Sequence, residues 1–431
     1  MNIAKFFFNS RGLSNLYSRT LSLFTRFGCS PKRMERYLNR ITEMCRQHGF
    51  SPTFPATAVV VKRYPETFRR LREKGMEFAI HGLVHTDYSQ LSYDRQREHM
   101  EKAKQIFEEV GIDYNGYRSP YLKDNEYTCP AIGACSFKWA SCIVVDWPVV
   151  LQNEFLPSQW NEYQKVLNLY NSVSATNRRV IPCIHNGHVE IPVSIPDDEA
   201  CVDRLSLKRN TKKIESIWRK VLTLTHERGE VFTIQFHHER FPYCEMPLKQ
   251  VLDLADTLAP AVFKGTLSQL TSWWNSRNSS EITLEVDESN YILRIKAPSE
   301  ATILCKGFVK NPSLPFFSDY TVADKREFHG EGVVPGVALS EGAHPSWEKQ
   351  LREEGFAIVP GKHRERASFI VEETEPVTEV NTMQVLKRID TSPQPLVRLW
   401  RWPNNCRSAL CVTGDIDSMT LQDFLFRIWE V

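Results

Sequence analysis

Short apolar runs alternate with longer amphipathic stretches between about Pro31 and Leu270, and this alternation is the strongest constraint on the fold. The runs that predict strands are TAVVV, EFAI, CIVV, VIPCI and VFTIQF. They are apolar at successive positions, which is typical of strands buried on both faces. The stretches between them have helical spacing and end at glycines such as Gly111 and Gly229. The sequence therefore predicts an α/β fold, with a parallel sheet that is open or closed into a barrel.

The pattern changes after about Trp274. The segment ITLEVDESNYILRIKAP predicts a β-hairpin, and the residues that follow are rich in short strands, Gly and Pro. The segment PLVRLWRWPNNCRSALCVTGDID then returns to the buried-strand pattern. We therefore predict an α/β part over residues 1–275, a mainly-β module over 281–395, and a C-terminal strand and helix over 398–431.

Composition narrows the class of protein. The 54 basic and 52 acidic residues give a formal net charge of +2, and no nucleic-acid module is recognisable, so a nucleic-acid partner is not expected. The eleven cysteines form no CxxC pair, which indicates reduced thiols and a cytoplasmic protein. Residues 1–28 are basic, and their apolar run FFF is too short for a signal peptide or a membrane span. We favour a helix packed on the protein for this segment, and contact with a membrane surface is the alternative.

Histidine or aspartate follows five of the predicted strands, which is more than chance placement would give. In parallel α/β folds the carboxyl ends of the strands share one face, and sites form on that face. The residues at these ends are His81, Asp146, His185, His237 with His238, and Asp415 with Asp417. We therefore expect them on one face of the protein.

Two of these strand ends have alternative interpretations. HGLVH sets His81 and His85 four residues apart, within reach of one metal ion if the segment turns helically. The alternative is that both imidazoles only complete the hydrogen bonding of a strand end. Asp415 and Asp417 are either a base and a metal ligand or part of the N-cap region of the helix that begins near Thr420.

Together, these segments resemble the polysaccharide deacetylase family (carbohydrate esterase family 4, the NodB-homology domain). HGLVH resembles its HxxxH metal motif, GYRSPY its Arg-x-Pro-Tyr motif, VDWP its Asp-Trp motif and IQFHHERF its last motif, in family order over roughly residues 25–270. The resemblance implies a distorted (β/α) barrel with the mainly-β module inserted. The family begins with a strand that ends in two aspartates, and no segment before Pro55 matches it. VTGDID, late in the chain, is similar to that missing strand.

We favour circular permutation as the explanation. The chain then starts just after the first strand of the barrel, inserts the β module and supplies the first strand last, because the first and last strands of a barrel are neighbours. One alternative is that VTGDID opens a second, truncated deacetylase domain. Another is that it completes the barrel of a partner subunit in a swapped homo-oligomer.

Carried over motif by motif, the resemblance implies a metal site and catalytic residues. The implied metal ligands are Asp417, His81 and His85, and the implied metal is zinc, with cobalt, nickel or manganese as alternatives. The implied catalytic residues are Asp415 as the base, His237 as the acid, Arg118 to orient Asp415, and Asp146 to set the charge of His237. The implied substrate-binding residues are Tyr121, Trp147 and His185.

The resemblance implies a metal-dependent hydrolase that removes an acetyl group from the amide nitrogen of an N-acylated sugar or polysaccharide. Two alternatives stay open. One is a non-catalytic carbohydrate-binding protein on the same fold. The other is a related amide hydrolase, such as a deformylase or a ureide hydrolase, that acts on a small or lipid-linked amide.

Overall fold

The computed structural model describes residues 26–308 and 315–427. Most of the basic N-terminal segment, residues 1–25, lies outside these ranges, and so does its predicted helix. Within the described ranges no helix combines the length and the apolar character needed to cross a membrane.

The described residues form twenty strands and twelve α-helices. The strands are β1 (Thr53–Ala56), β2 (Glu77–Ile80), β3 (Gly116–Tyr117), β4 (Trp139–Ala140), β5 (Val144–Asp146), β6 (Val173–Ser174), β7 (Cys183–His185), β8 (His188–Glu190), β9 (Val193–Ile195), β10 (Val231–Gln235), β11 (Val262–Lys264), β12 (Glu281–Val286), β13 (Asn290–Lys296), β14 (Ala301–Lys306), β15 (Thr321–Val322), β16 (Glu327–Glu331), β17 (Val334–Leu339), β18 (Ala367–Val371), β19 (Leu396–Pro403) and β20 (Ser408–Thr413). The helices are α1 (Lys32–Gln47), α2 (Ala58–Arg63), α3 (Pro65–Glu73), α4 (Tyr93–Val110), α5 (Thr128–Ala134), α6 (Pro157–Tyr170), α7 (Thr211–Arg228), α8 (Phe241–Thr257), α9 (Leu267–Asn278), α10 (Ser346–Glu353), α11 (Glu379–Thr391) and α12 (Leu421–Phe426).

Twelve strands form one curled sheet of the distorted-barrel type. Their order is β6-β5-β9-β10-β20-β1-β2-β3-β4-β8-β7, and β11 also pairs with β20. Neighbouring strands are parallel except for β7 and β8, which form an antiparallel hairpin at one edge. Helices and sheet share one continuous apolar core. The predicted α/β barrel class is confirmed, and further β-sheets are present as predicted.

Strand β20 lies in the middle of this sheet although it is the last strand along the chain. All of its residues are buried, and it pairs with β10 over five residues. On its other side it joins β1, where the backbone N–H of Ile416 donates to the carbonyl of Pro55 at 2.8 Å. Residues of the C-terminal segment therefore fill a central position of the sheet in the same chain.

Two predicted strands have a different structure. TAVVV begins α2 instead of forming a strand, because the chain turns after β1 and the backbone N–H of Ala58 donates to the carbonyl of Gly82 at 3.1 Å. This tertiary contact overrides the β propensity of the valines. VIPCI provides only the short strand β7, which is antiparallel and lies at the edge of the sheet.

The module between α9 and β20 has its own sheets. β12 and β13 form the predicted antiparallel hairpin, and β16 extends it to three strands. β14 pairs with β15 and β19, while β17 and β18 form a parallel pair. The predicted domain boundary at residue 398 falls inside β19, which pairs with the module. β19 belongs to a sheet of the module. The chain therefore re-enters the large sheet only at β20, which pairs with β11 there.

A buried carboxylate connects the module to the barrel. Glu354, which follows α10, accepts hydrogen bonds from Arg398 and Arg401 on β19 and from Arg179, which lies between β6 and β7. Burial raises the pKa of Glu354, but the three guanidinium groups outweigh burial and hold it well below the usual range. The ion cluster therefore contributes stability as long as Glu354 is ionised.

We expect Glu354→Gln to lower the free energy of unfolding by about 3–5 kcal/mol at pH 7, because it leaves buried arginines without their counter-charge. The pKa of Glu354 is lowered on folding, so the stability it contributes is present above its unfolded pKa of about 4.3 and is lost as the pH falls below that value. Chemical denaturation at several pH values should show the difference between wild type and variant shrinking in acid. The exposed neighbour Glu353, changed to Gln, is the control and should cost less than about 0.5 kcal/mol.

Candidate active site

His81 has one ring nitrogen that a backbone contact leaves open. It follows β2 directly, and its Nδ1 donates to the carbonyl of Arg118 at 2.9 Å. This hydrogen bond leaves the lone pair of the neutral imidazole on Nε2. Nε2 is buried and has no hydrogen-bond partner. An unsatisfied buried acceptor of this kind is costly unless a ligand completes it.

His85 reaches the same place through a glycine turn and not through a helical turn. Gly82 has φ +77°, and a Cβ there would lie 2.9 Å from the hydroxyl of Tyr88, so a side chain at this position would be strained. The rings of His81 and His85 are 5.3 Å apart, and Tyr121 packs edge-on against His85 at 4.2 Å. Burial lowers the pKa of His85 to about 4, so the imidazole is neutral near pH 7, as metal ligation requires.

Asp417 completes this group of residues. Gly414 directly follows β20 and packs closely against the backbone: a Cβ there would lie 2.1 Å from the carbonyl oxygen of Phe236. Three residues later, Asp417 places Oδ1 3.4 Å from Nε2 of His81 and Oδ2 3.1 Å from Nε2 of His85. Burial raises the pKa of Asp417, but His85 and Arg427 outweigh burial and lower it well below its usual range.

The helix-cap interpretation of this segment applies to a different residue. Thr420 is the N-cap of α12, and its side chain accepts a hydrogen bond from the backbone N–H of Asp423. Asp417 is therefore free to face the two histidines.

The three side chains fit a divalent ion. Ligand atoms of His81, His85 and Asp417 lie within 4.8 Å of one another. Oδ1 of Asp417, like Nε2 of His81, is buried without a hydrogen-bond partner. Two imidazoles and one carboxylate form a donor set typical of zinc sites that keep a position open for water or substrate.

Asp415 lies beside this group and is held at both oxygens. The fully buried Arg118 donates from Nη1 to Oδ1 at 3.0 Å, and the amide of Gln235 donates to Oδ2 at 2.9 Å. Oδ2 also lies 3.6 Å from Nε2 of His81. The predicted contact between Arg118 and Asp415 is present. Gln235 was not predicted, although its position two residues before His237 in strand β10 puts it on the same side as that histidine.

His237 is paired with Asp198 and not with Asp146, as the sequence had suggested. Nδ1 of His237 donates to Oδ1 of Asp198 at 2.9 Å, and its backbone N–H donates to Oδ2 at 2.6 Å. Burial lowers the pKa of His237, but Asp198 outweighs burial and raises it well above its usual range. Asp146 instead accepts a 2.7 Å hydrogen bond from Tyr163, and burial raises its pKa to about 6. The acidic segment PDDE contained the signal for Asp198.

The residues predicted to bind substrate lie in different environments. Tyr121 contacts His85 and has a left-handed backbone with φ 59°. Trp147 is 1% exposed and its indole donates to Ser194, so its contacts are those of a packed core residue. His185 is exposed on the β7–β8 hairpin. His238, the neighbour of His237, is buried and bonds the carbonyl of Ser418 at 2.9 Å.

Residues 27–139 match the family model described as polysaccharide deacetylase. The match spans 113 of the 431 residues, and over these residues the chain is similar to polysaccharide deacetylases. The predicted resemblance is confirmed over these residues, which include His81, His85 and Arg118. The two C-terminal aspartates and His237 lie outside the matched residues.

Solved structures similar to this chain share little sequence with it. A Mycobacterium smegmatis protein classed as a polysaccharide deacetylase is 16% identical with a TM-score of 0.43, and the match covers 58% of this chain and 81% of that one. A Pseudomonas aeruginosa PAO1 protein of the same class is 16% identical with a TM-score of 0.40, covering 52% and 68%. The PuuE allantoinase is 16% identical with a TM-score of 0.39, covering 52% and 67%. No curated protein sequence matches the chain.

We expect Asp198→Asn to lower the pKa of His237, because burial then acts without the opposing carboxylate. Imidazole NMR should show wild-type His237 still charged above about pH 6.5 and the variant neutral there. The loss of unfolding free energy in the variant should be about 3 kcal/mol below about pH 6.5 and should shrink as the pH rises through the raised pKa of His237. An unchanged His237 titration would contradict the assignment. Asp146→Asn is the control and should leave that titration in place.

Proposed function

We propose that this chain is a metal-dependent hydrolase that removes an acyl group, such as acetyl, from the amide nitrogen of an N-acylated sugar or polysaccharide. The observation that supports the proposal most is the convergence of His81, His85 and Asp417 at one point, with Asp415 beside them. The residues that match the deacetylase family model include the two histidines, and the distant strand β20 brings both aspartates. Zinc suits this donor set, and cobalt, nickel or manganese are alternatives.

Asp415 is the base of the proposed mechanism. A divalent ion held by His81, His85 and Asp417 would polarise the amide carbonyl and lower the pKa of a water molecule. Asp415 would accept the proton of the attacking water. Arg118 and Gln235 hold the two oxygens of Asp415, so the carboxylate has one orientation toward the water. Little free energy is then needed to reorganise it during the reaction.

His237 is the acid of the proposed mechanism. The amine leaving group needs a proton, and a positioned acid typically contributes about 10²–10⁴-fold to the rate. Asp198 keeps His237 protonated at neutral pH, because it raises the pKa of the imidazole well above its usual range. We assign to Asp198 the role that the sequence had suggested for Asp146. Tyr121, which packs on His85, is the residue best placed to contact a bound sugar.

We further propose that the barrel is circularly permuted within one chain. The described part of the predicted region 1–275, from residue 26 onwards, would form the barrel without its first strand, the mainly-β module would be inserted after it, and β20 would supply the missing strand. The position of β20 between β10 and β1 supports this proposal. A non-catalytic carbohydrate-binding role becomes attractive if VTGDID does not reach the other motifs. The 3.4 Å approach of Asp417 to His81 favours the enzyme.

We expect Asp417→Asn to lose the metal and the activity together. Purified wild-type protein should contain about one divalent ion by mass spectrometry and release acetate from N-acetylglucosamine oligomers. The variant lacks the only carboxylate among the three proposed ligands and should retain neither property. Asp113→Asn, at an exposed position, is the matched control and should retain both. Full metal content in Asp417→Asn would contradict the proposed metal site. If the wild type contains the metal but releases no acetate, only the proposed substrate is contradicted.

The His81→Ala and Asp417→Ala variants distinguish permutation within one chain from strand exchange between subunits. Each variant alone should be inactive. When they are unfolded together and refolded as a mixture, a site built within one chain stays inactive, because every copy lacks a ligand. A swapped dimer would regain part of the activity, because the intact His81 of one copy would meet the intact Asp417 of the other. Acetate release by the mixture would therefore contradict permutation within one chain.

A further inference from the structure

Arg427 lies against two of the three proposed metal ligands. It follows α12, and its side chain is 13% exposed. Its Nη1 is 3.2 Å from Oδ2 of Asp417, and its Nη2 is 2.5 Å from Nδ1 of His85. A guanidinium group therefore contacts the same two side chains that would bind a cation.

The contact with His85 determines where the proton of this imidazole lies. A guanidinium has five N–H donors and no acceptor, so Arg427 donates and Nδ1 of His85 accepts. In the neutral imidazole the proton is then on Nε2. That N–H donates to Oδ2 of Asp417 at 3.1 Å. Both ring nitrogens of His85 are occupied by hydrogen bonds, and Nε2 has no lone pair to offer a metal.

His81 has the opposite arrangement. Its Nδ1 faces the carbonyl of Arg118 at 2.9 Å, so Nδ1 carries the proton and Nε2 is an open ligand. His85 would need the same tautomer to bind metal through Nε2. Its Nδ1–H would then point at Nη2 of Arg427, which lies 2.5 Å from Nδ1. Two hydrogen-bond donors would face each other. The positive charge of Arg427 also repels a cation bound at Asp417, and burial makes that repulsion stronger than it is in water.

We propose that Arg427 and a divalent ion occupy His85 and Asp417 in a mutually exclusive way. Arg427 is a positioning residue that holds His85 in the wrong tautomer for metal, and its side chain must leave Nδ1 before the ion binds. This inference rests on the proposed metal site. Arg427 is then expected to lower the metal affinity of the site. Metal binding is also expected to release the contact that Arg427 makes at the C-terminal end of α12.

The test is the affinity for Zn²⁺, measured by competition with a chromophoric chelator. Arg427→Ala should bind zinc at least about tenfold more tightly than wild type, the size of effect usual for residues that contact metal ligands. Arg427→Lys keeps the charge on a shorter side chain with a different donor geometry, so its affinity should lie between the two. Arg97→Ala removes an exposed arginine from α4 and should leave the affinity unchanged.

A second measurement uses hydrogen exchange of the wild-type chain. Zinc should speed amide exchange over residues 421–427, because it releases the contact of Arg427, and should have no such effect in Arg427→Ala. Equal or weaker zinc binding in Arg427→Ala would overturn the role of Arg427 and leave the metal site standing. If neither wild type nor Arg427→Ala binds zinc, the metal site itself is overturned together with this inference.

Discussion

The backbone pairing of β20 with β10 and β1 is the interaction on which the candidate site depends. It brings Asp415 and Asp417 to the sheet end where β2 delivers His81 and where β10 delivers His237. A shift of one residue in this pairing would turn every side chain of β20 to the opposite face. Gly414 restricts the register, because the carbonyl oxygen of Phe236 occupies the space that a side chain would need. The register of β20 therefore determines the positions of the Asp415 and Asp417 carboxylates.

The site contains histidines in two electrostatic states, and their partners decide which state each adopts. His81 faces a backbone carbonyl, and His85 is buried beside a guanidinium, which suits neutral imidazoles. His237 faces the carboxylate of Asp198, which favours the imidazolium. In the proposed mechanism, the same imidazole group serves as metal ligand at two positions and as proton donor at a third, and the surroundings of each histidine separate these roles.

Much of this arrangement could be predicted from the sequence, because it depends on local patterns. The alternation of apolar runs and helices indicated the α/β sheet. The order of the motifs indicated that the first strand of the family was missing from its usual place and that VTGDID is similar to it. TAVVV was misassigned because valine favours strands unless tertiary contacts intervene. Asp198, Gln235 and Arg427 escaped prediction for another reason. Their roles depend on which atoms meet across the fold. The PDDE segment and the two-residue spacing of Gln235 from His237 mark two of these positions, but they do not identify the atoms that each side chain contacts.

The central position of β20 also has a consequence for biosynthesis. A ribosome makes His81 and the strands around it long before it makes Asp415 and Asp417, and domains generally fold from the N-terminus as the chain emerges. Until β20 arrives, the edges of β10 and β1 lack their shared neighbour, and unpaired strand edges recruit other chains. The nascent protein must therefore remain soluble with an incomplete sheet, and it cannot form its carboxylate–histidine cluster early. Late arrival of the two aspartates would keep unfinished chains chemically inert.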